Sequence, residues 1–281
     1  LVVLHGDRVE PLACAISSLL LNIKIAHVEG GEVSGTVDEM LRHAISKLSH
    51  IHFVSNKIAK NRLLQMGEDK KSIFVVGSPD VDMILSKNLP HLDTVRKRYG
   101  INYDKYAISI LHPVTTNLEN VKLESKSYFK ALQQTKANYV VIFPNNDLGS
   151  NYIFDQIRKL KNKPNFTVLP SLRFEFFLTL LKNSSFIIGN SSCGIMEAPY
   201  YGVPTINVGN RQKNRLKSKS LININFTKKK IITAIKFAQK NKIPKLKYFG
   251  NGKSSLKINK IINSKKFWDV QLQKGFIDFI K

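Results

Sequence analysis

A chain of 281 residues with 43% hydrophobic content can fill the cores of two α/β domains. Its net charge of +24, from 44 Lys+Arg against 20 Asp+Glu, would suit nucleic acid, but the excess is scattered lysine, densest from Lys213 to Lys265, with no RNA-binding motif or regular aromatic interleaving; small anionic substrates account for it equally well. No apolar run approaches the roughly 18 residues of a spanning helix, which argues against a membrane role, and Cys14 and Cys193 alone make no disulfide framework, so a reducing, cytoplasmic setting is expected.

In chain order, Leu1 to Leu4 reads as a buried strand already in mid-fold. With no initiator Met ahead of it, the first domain is expected to be incomplete. A helix from about Glu10 to Leu21 follows, then an apolar run from Ile23 to Val28 and a helix from Thr36 to Ser49. Strand Ile51 to Val54, helix Lys57 to Met66 and strand Ile73 to Val76 continue the alternation, and Gly77-Ser78-Pro79-Asp80 turns into a further helix. Such βαβ repetition predicts a parallel sheet.

Lys87 to Lys105, with Pro90, several charges and Gly100, reads as the connection between domains. A second α/β unit then offers strands at Tyr106 to Leu111, Tyr139 to Phe143, Phe166 to Leu169, Phe186 to Ile188 and Thr205 to Val208. Its helices are expected at Tyr128 to Gln134, Asn151 to Lys161 and Phe174 to Leu181, and a last helix at Phe267 to Ile280 would cross back to the first domain. The division is therefore 1–90, 104–265 and 266–281.

Chemistry gathers where strands stop, as it does in open parallel sheets. After Val28, Glu29-Gly30-Gly31-Glu32 is a glycine-opened loop, and Asp38, Glu39, Arg42 and His43 lie on the next helix. Ser34 and Thr36 also suit a simple helix cap, with Asp38 and Glu39 favoured by the helix dipole. In the second domain His112-Pro113-Val114-Thr115-Thr116 and Asn145-Asn146-Asp147 follow strands, and Gly189-Asn190-Ser191-Ser192-Cys193-Gly194 has the small residues of an anion cradle. A helix containing Glu197 should run from that loop to the Gly202-Val203-Pro204 stop. Arg211, beyond the next strand, could pair with a diphosphate or be an ordinary loop charge. No Cys/His spacing suggests zinc.

His5-Gly6-Asp7-Arg8, the stretch from Glu29 to His43, His112-Pro113-Val114-Thr115-Thr116, Phe143-Pro144-Asn145 and Gly189 through Pro204 together resemble the hydrolysing UDP-N-acetylglucosamine 2-epimerases, including enzymes of sialic-acid and legionaminic-acid biosynthesis. The resemblance covers nearly the whole chain in order. It implies an α/β fold of the GT-B type, two Rossmann-like domains flanking a cleft, UDP held mainly by the second domain, a homodimer, and no cofactor or metal. Asp7, Glu29 and Asp38 match the family's catalytic carboxylates, and Arg8 and His112 its substrate-contacting positions, His112 with a catalytic part at the leaving group. Asn145, Ser191, Ser192, Glu197 and Arg211 match nucleotide-binding positions; Leu172 sits where a backbone group meets uracil. Glu32, Arg42, His43, Gly189 and Asn190, in the same matched stretches, complete the expected substrate-binding set.

The reaction so implied eliminates UDP to a glycal and adds water, giving a free sugar inverted at C2. Negative side chains would stabilise the oxocarbenium character at C1, one taking the C2 proton and another returning one; their crowding should raise at least one pKa. His5 and His27 are read as orienting groups beside the acid loops, and His50 and His52 as ordinary packing residues. A GT-B glycosyltransferase, and more remotely a basic nucleic-acid-binding module, remain the alternatives.

Overall fold

The computed structural model describes residues 1–216, 218, 220–241 and 243–278. The chain forms two units, Leu1–Ser86 with Lys247–Lys281, and Lys87–Leu246. Unit 1 opens with β1 (Val2–His5), α1 (Val9–Leu20), β2 (Ile25–Val28), α2 (Val37–Leu48), β3 (Ile51–Val54), α3 (Lys57–Gln65), β4 (Ile73–Val75) and α4 (Pro79–Ile84). Unit 2 contains α5 (Leu92–Tyr99), β5 (Ala107–Ile110), α6 (Leu118–Gln133), β6 (Tyr139–Ile142), α7 (Ser150–Arg158), β7 (Phe166–Leu169), α8 (Phe174–Lys182), β8 (Ile187–Gly189), α9 (Cys193–Met196), α10 (Ala198–Tyr201), β9 (Thr205–Val208), β10 (Leu221–Ile224) and α11 (Lys228–Lys240). The chain then returns to unit 1 as α12 (Ser254–Ile262) and α13 (Lys265–Trp268).

The first sheet is parallel in the order β1-β2-β3-β4. Alternation along β2 decides what each face meets. Ile25 packs with Leu4, Ala15 and Ile45 beneath α1 and α2, whereas Ala26 and Val28 join Phe53, Val76 and Phe267 on the other side. Phe267 stacks on Phe53 with centroids 6.2 Å apart and planes 9° from parallel. Burying one such ring is worth about 1.5–3 kcal/mol, enough to draw α13 onto the sheet although the surrounding tail is lysine-rich.

The second sheet is also parallel, in the order β10-β9-β8-β5-β6-β7. Its strand order reverses between β5 and β8, the place where open α/β sheets hold ligands. Tyr128, Phe129, Tyr139 and Phe186 form the centre of a core that α6 and α11 share with the strands.

Several expected elements change. The 87–105 connection holds α5, which ends on left-handed Gly100 and belongs to unit 2. α6 begins ten residues before the expected Tyr128. Unit 2 ends at Leu246 rather than 265, because α12 docks on α4: Asp82 accepts from the backbone N–H of Ser254 at 2.8 Å and of Ser255 at 2.7 Å. The helix expected at Phe267 to Ile280 stops at Trp268, and residues 269–278 carry no helix; Phe279 and Ile280 lie outside the described residues. That segment is held instead by Lys274, whose ammonium bonds to buried Glu68 at 2.6 Å and to the carbonyls of Lys47 and Ser49. Among the described residues no helix is long and apolar enough to cross a membrane.

Candidate active site

In unit 1 the carboxylates arrive at the C-terminal ends of β1 and β2. Asp7 follows β1 by two residues, and Glu29 directly follows β2. Glu29 has φ 68°, a left-handed conformation uncommon for a residue with a side chain. Its N–H donates to Phe53 O at 2.9 Å, anchoring that geometry to β3, and its carboxylate meets His5 Nε2 at 3.1 Å. Gly31, at φ 76°, passes so close to α3 that a Cβ would stand 2.3 Å from Ala59 O. The loop therefore needs glycine there for space as well as for conformation.

Asp7 is held by Arg42 from α2, in a side-chain ion pair. Arg42 is 2% exposed and also donates to Glu32 O at 3.0 Å and Ser34 Oγ at 3.5 Å. Glu32 is equally buried and accepts from Ser55 Oγ at 2.8 Å. Both residues of the expected substrate-binding set are therefore buried, and Arg42 links the loop carrying Asp7 to the loop carrying Glu32. Asp38 sits half-buried in the first turn of α2, and Thr36 occupies the N-cap position without a side-chain cap bond. Glu39 instead accepts from Ser34 N at 2.6 Å, and His43 pairs with Glu39 at 3.6 Å. Arg8 is exposed beside Glu10.

Histidines set the local charge. His5, bonded to Glu29, is raised to about 9 despite partial burial, so it is an imidazolium at neutral pH. His27 is fully buried and pushed down to about 4 by loss of hydration. Neutral, it spans Ser46 Oγ at 2.9 Å and Gly6 O at 3.0 Å, which ties the loop carrying Asp7 to α2.

In unit 2, β5 and β8 deliver His112 and the Gly189–Gly194 loop to the switch point. Buried Asn190 clamps His112 from both sides: its Oδ1 accepts from His112 N at 2.7 Å and its amide donates to His112 O at 2.9 Å. His112 Nδ1 accepts from Asn145 N at 3.1 Å, which leaves the ring proton on Nε2. Arg211 donates to Asn190 O at 3.3 Å, bringing its guanidinium to the same loop. Gly189 at φ 138° would place a Cβ only 1.8 Å from Ile110 O. Leu172 is half-buried between β7 and α8.

The helix expected across Glu197 is two short ones. α9 ends at Met196, Glu197 adopts φ −97° and ψ −49°, and α10 restarts with Pro199 near its head, where the missing N–H leaves no bond to continue the turn. Ser191 and Ser192 are half-buried at the start of α9, and Glu197 is buried. Cys193 is a buried thiol whose pKa burial pushes well up, the reverse of a reactive thiolate.

A family model described as UDP-N-acetylglucosamine 2-epimerase matches residues 1–263. The chain belongs to the UDP-N-acetylglucosamine 2-epimerase family. It is 46% identical to a UDP-N-acetylglucosamine 2-epimerase of Neisseria meningitidis serogroup B over 99% of this chain and 74% of that one. It is 41% identical to the hydrolysing UDP-N,N'-diacetylbacillosamine 2-epimerase of Legionella pneumophila, over 90% of this chain and 68% of the other. Among solved structures, the Methanocaldococcus jannaschii UDP-GlcNAc 2-epimerase in complex with UDP-GlcNAc and UDP superposes with a TM-score of 0.79 at 27% identity, covering 92% of this chain and 74% of that one. The fold class is accordingly α/β of the GT-B type.

One residue of this 2-epimerase chain escaped the sequence reading. Asp80, at the start of α4, brings a carboxylate oxygen to the His5–Glu29 pair, and one side-chain nitrogen or oxygen of each of the three residues lies within 4.8 Å of the other two. Burial, then the charge of Glu29, raises its pKa, so this is where acid crowding is felt. Gly77-Ser78-Pro79-Asp80 reads as a turn; the only further hint was that β4, too, ends on a loop at the ligand edge.

Proposed function

We infer that this chain is a hydrolysing 2-epimerase, converting a UDP-2-acetamido sugar to UDP and the free 2-epimeric manno sugar. The observation that carries this reading is the pair of carboxylates at neighbouring strand ends, Asp7 and Glu29, each fixed by its own cation, Arg42 and His5. A C2 proton is a poor acid, so departure of the diphosphate must lead. The C1–O bond to UDP and the C2–H bond break to give a glycal; water then adds its oxygen at C1 while a proton returns to C2 from the opposite face. Fixed negative charge stabilises the positive character at C1 during both steps, and Asp7 and Glu29 divide the proton transfers. Asp38 steers water or the ring.

In unit 2 the neutral His112 offers Nε2–H, and Arg211 a planar fork of donors, to the departing diphosphate. Ser191 and Ser192 add hydroxyls, Glu197 accepts ribose hydroxyls, and Asn145 with the Leu172 backbone completes the uridine site. The hydrolysing outcome draws support from the Legionella relative's name, and the two relatives' names support UDP-N-acetylglucosamine and UDP-N,N'-diacetylbacillosamine as the candidate substrates. We assign the enzyme to the cytoplasm, as a homodimer.

Proton NMR in deuterated water, with each UDP-sugar and the full-length protein, tests the reading. Free manno sugar carrying deuterium at C2 is expected. UDP-linked epimer would mean a non-hydrolysing enzyme, and sugar transfer only when an acceptor is added would mean a glycosyltransferase.

A further inference from the structure

The first sheet sends three titratable groups to one spot from three strands. His5 closes β1, Glu29 follows β2, and Asp80 comes from α4 behind β4, although β3 lies between β2 and β4. Position alone would make Asp80 an ordinary first-turn acid on a helix headed by Pro79. Its neighbour Asp82 shows what a structural acid on α4 does: burial is the largest single influence and raises its carboxyl pKa, but the bonds from Ser254 and Ser255 together outweigh it and bring the pKa below the usual value. Asp80 is half-buried and sits beside a second carboxylate, with the opposite electrostatic outcome.

We propose that Asp80 is a positioning residue for Glu29, acting through His5: its negative charge keeps the proton on His5 and opposes the loss of basicity that His5 imposes on Glu29. This rests on the 2-epimerase reading only for the role of Glu29, not for the coupling itself. His5 Nε2–H can point to Glu29 only while the ring keeps that proton, and a second carboxylate within 4.8 Å favours the imidazolium. The same charge repels that of Glu29 and so strengthens it as a base. Other charges near the trio come from different elements: Asp7 after β1, Glu32 after β2 and Arg42 on α2, the last engaged with Asp7 and with Glu32 O. Neutral His27 contributes no charge near pH 7. Asp80 thus tunes a pair on which Asp7, although engaged by Arg42, also acts, both carboxylates favouring the proton on His5.

Two measurements on the full-length protein test this. Imidazole NMR titration should show His5 losing its proton about half a unit or more lower in Asp80→Asn than in wild type, with Asp80→Glu close to wild type. The acid limb of kcat/KM for UDP-N-acetylglucosamine should move to lower pH in Asp80→Asn, with KM near wild type and Asp80→Glu restoring the limb. Should the asparagine variant fold poorly, Asp80→Ser removes the charge without added bulk. An unchanged His5 titration, or an unmoved acid limb in an active variant, overturns the proposal while leaving the epimerase reading intact. Should the wild type release no sugar while the His5 titration still differs between it and Asp80→Asn, the hydrolysing reading is retired and the coupling upheld.

Discussion

Glu29 sits in backbone geometry that costs roughly 1–3 kcal/mol for a residue with a side chain, and the fold retains it. The N–H bond to Phe53 O and the pairing with His5 hold the carboxylate at one point above the sheet. A residue whose only task was to pair with His5 would not need that strain, so its use lies in what the carboxylate faces. Glu29→Gln keeps the shape and can still meet His5, but it cannot take a proton from carbon. Sugar release should fall by about 10²–10⁴, with UDP affinity, read by calorimetry, unchanged within a few-fold. Near-normal turnover would remove Glu29 from the chemistry. Of this site, the loop motifs made Asp7, Glu29 and Arg42 legible in the sequence, because glycine and acid cluster there within a few residues. Asp80 was not legible: it stands 51 residues beyond Glu29, and only the return of the chain through β4 closes the distance. Arg42 was legible as important but not as buried, since amphipathic spacing does not say that a charge will turn inward to hold Asp7.

At the scale of elements, strands announced themselves as largely apolar runs: Ile51–Val54 and Thr205–Val208, buried along their length, and the edge strand Phe166–Leu169, half-buried at its centre, have the limits their sequences suggest. β10 did not, because Leu221-Ile222-Asn223-Ile224 is a half-exposed edge strand with asparagine in its ladder. α5 was hidden by Pro90 and by a run of charges that coats a solvent face. The last ten described residues misled in the other direction: their composition allows a helix, but the reach of Lys274 to Glu68 selects a non-helical path. The most demanding junction is between β5 and β8. Gly189→Ala would drive a methyl group into Ile110 O and occupy a backbone region closed to alanine. Strain and overpacking together should cost roughly 3 kcal/mol or more, read as a lower urea midpoint at unchanged slope. Because Asn190 directly follows β8 and His112 stands two residues beyond β5, UDP affinity should fall as well. A variant with wild-type stability and affinity would show that the junction has room to open.

Across the whole chain, the seven histidines are unevenly shared, and so is sensitivity to pH. Unit 1 has five, with His27, His50 and His52 buried and all three lowered by loss of hydration; unit 2 has His112 and the exposed His91. A histidine lowered in the folded state leaves the unfolded chain binding the extra proton as pH falls below 6.5. Its contribution is full above that pH and declines toward the folded value, about 4 for His27, where the difference amounts to roughly 3 kcal/mol at most. Glu68, held by His52, Lys47 and Lys274 at about 2, adds a loss only below about 4.5. His5 works in the opposite sense: raised to about 9, it contributes fully below 6.5 and is lost as pH rises through 9. Unit 1 should therefore be most stable near pH 6.5 to 7 and weaken first on acidification to pH 5. Trp268, the single tryptophan, lies in unit 1 and reports on it alone. Its fluorescence midpoint in urea should drop between pH 7 and pH 5, while native-state hydrogen exchange of the β5 and β6 amides in unit 2 changes little. His27→Gln should flatten the dependence of that midpoint on pH. Equal weakening of both units, or a midpoint indifferent to pH, would mean that the buried imidazoles do not govern acid stability.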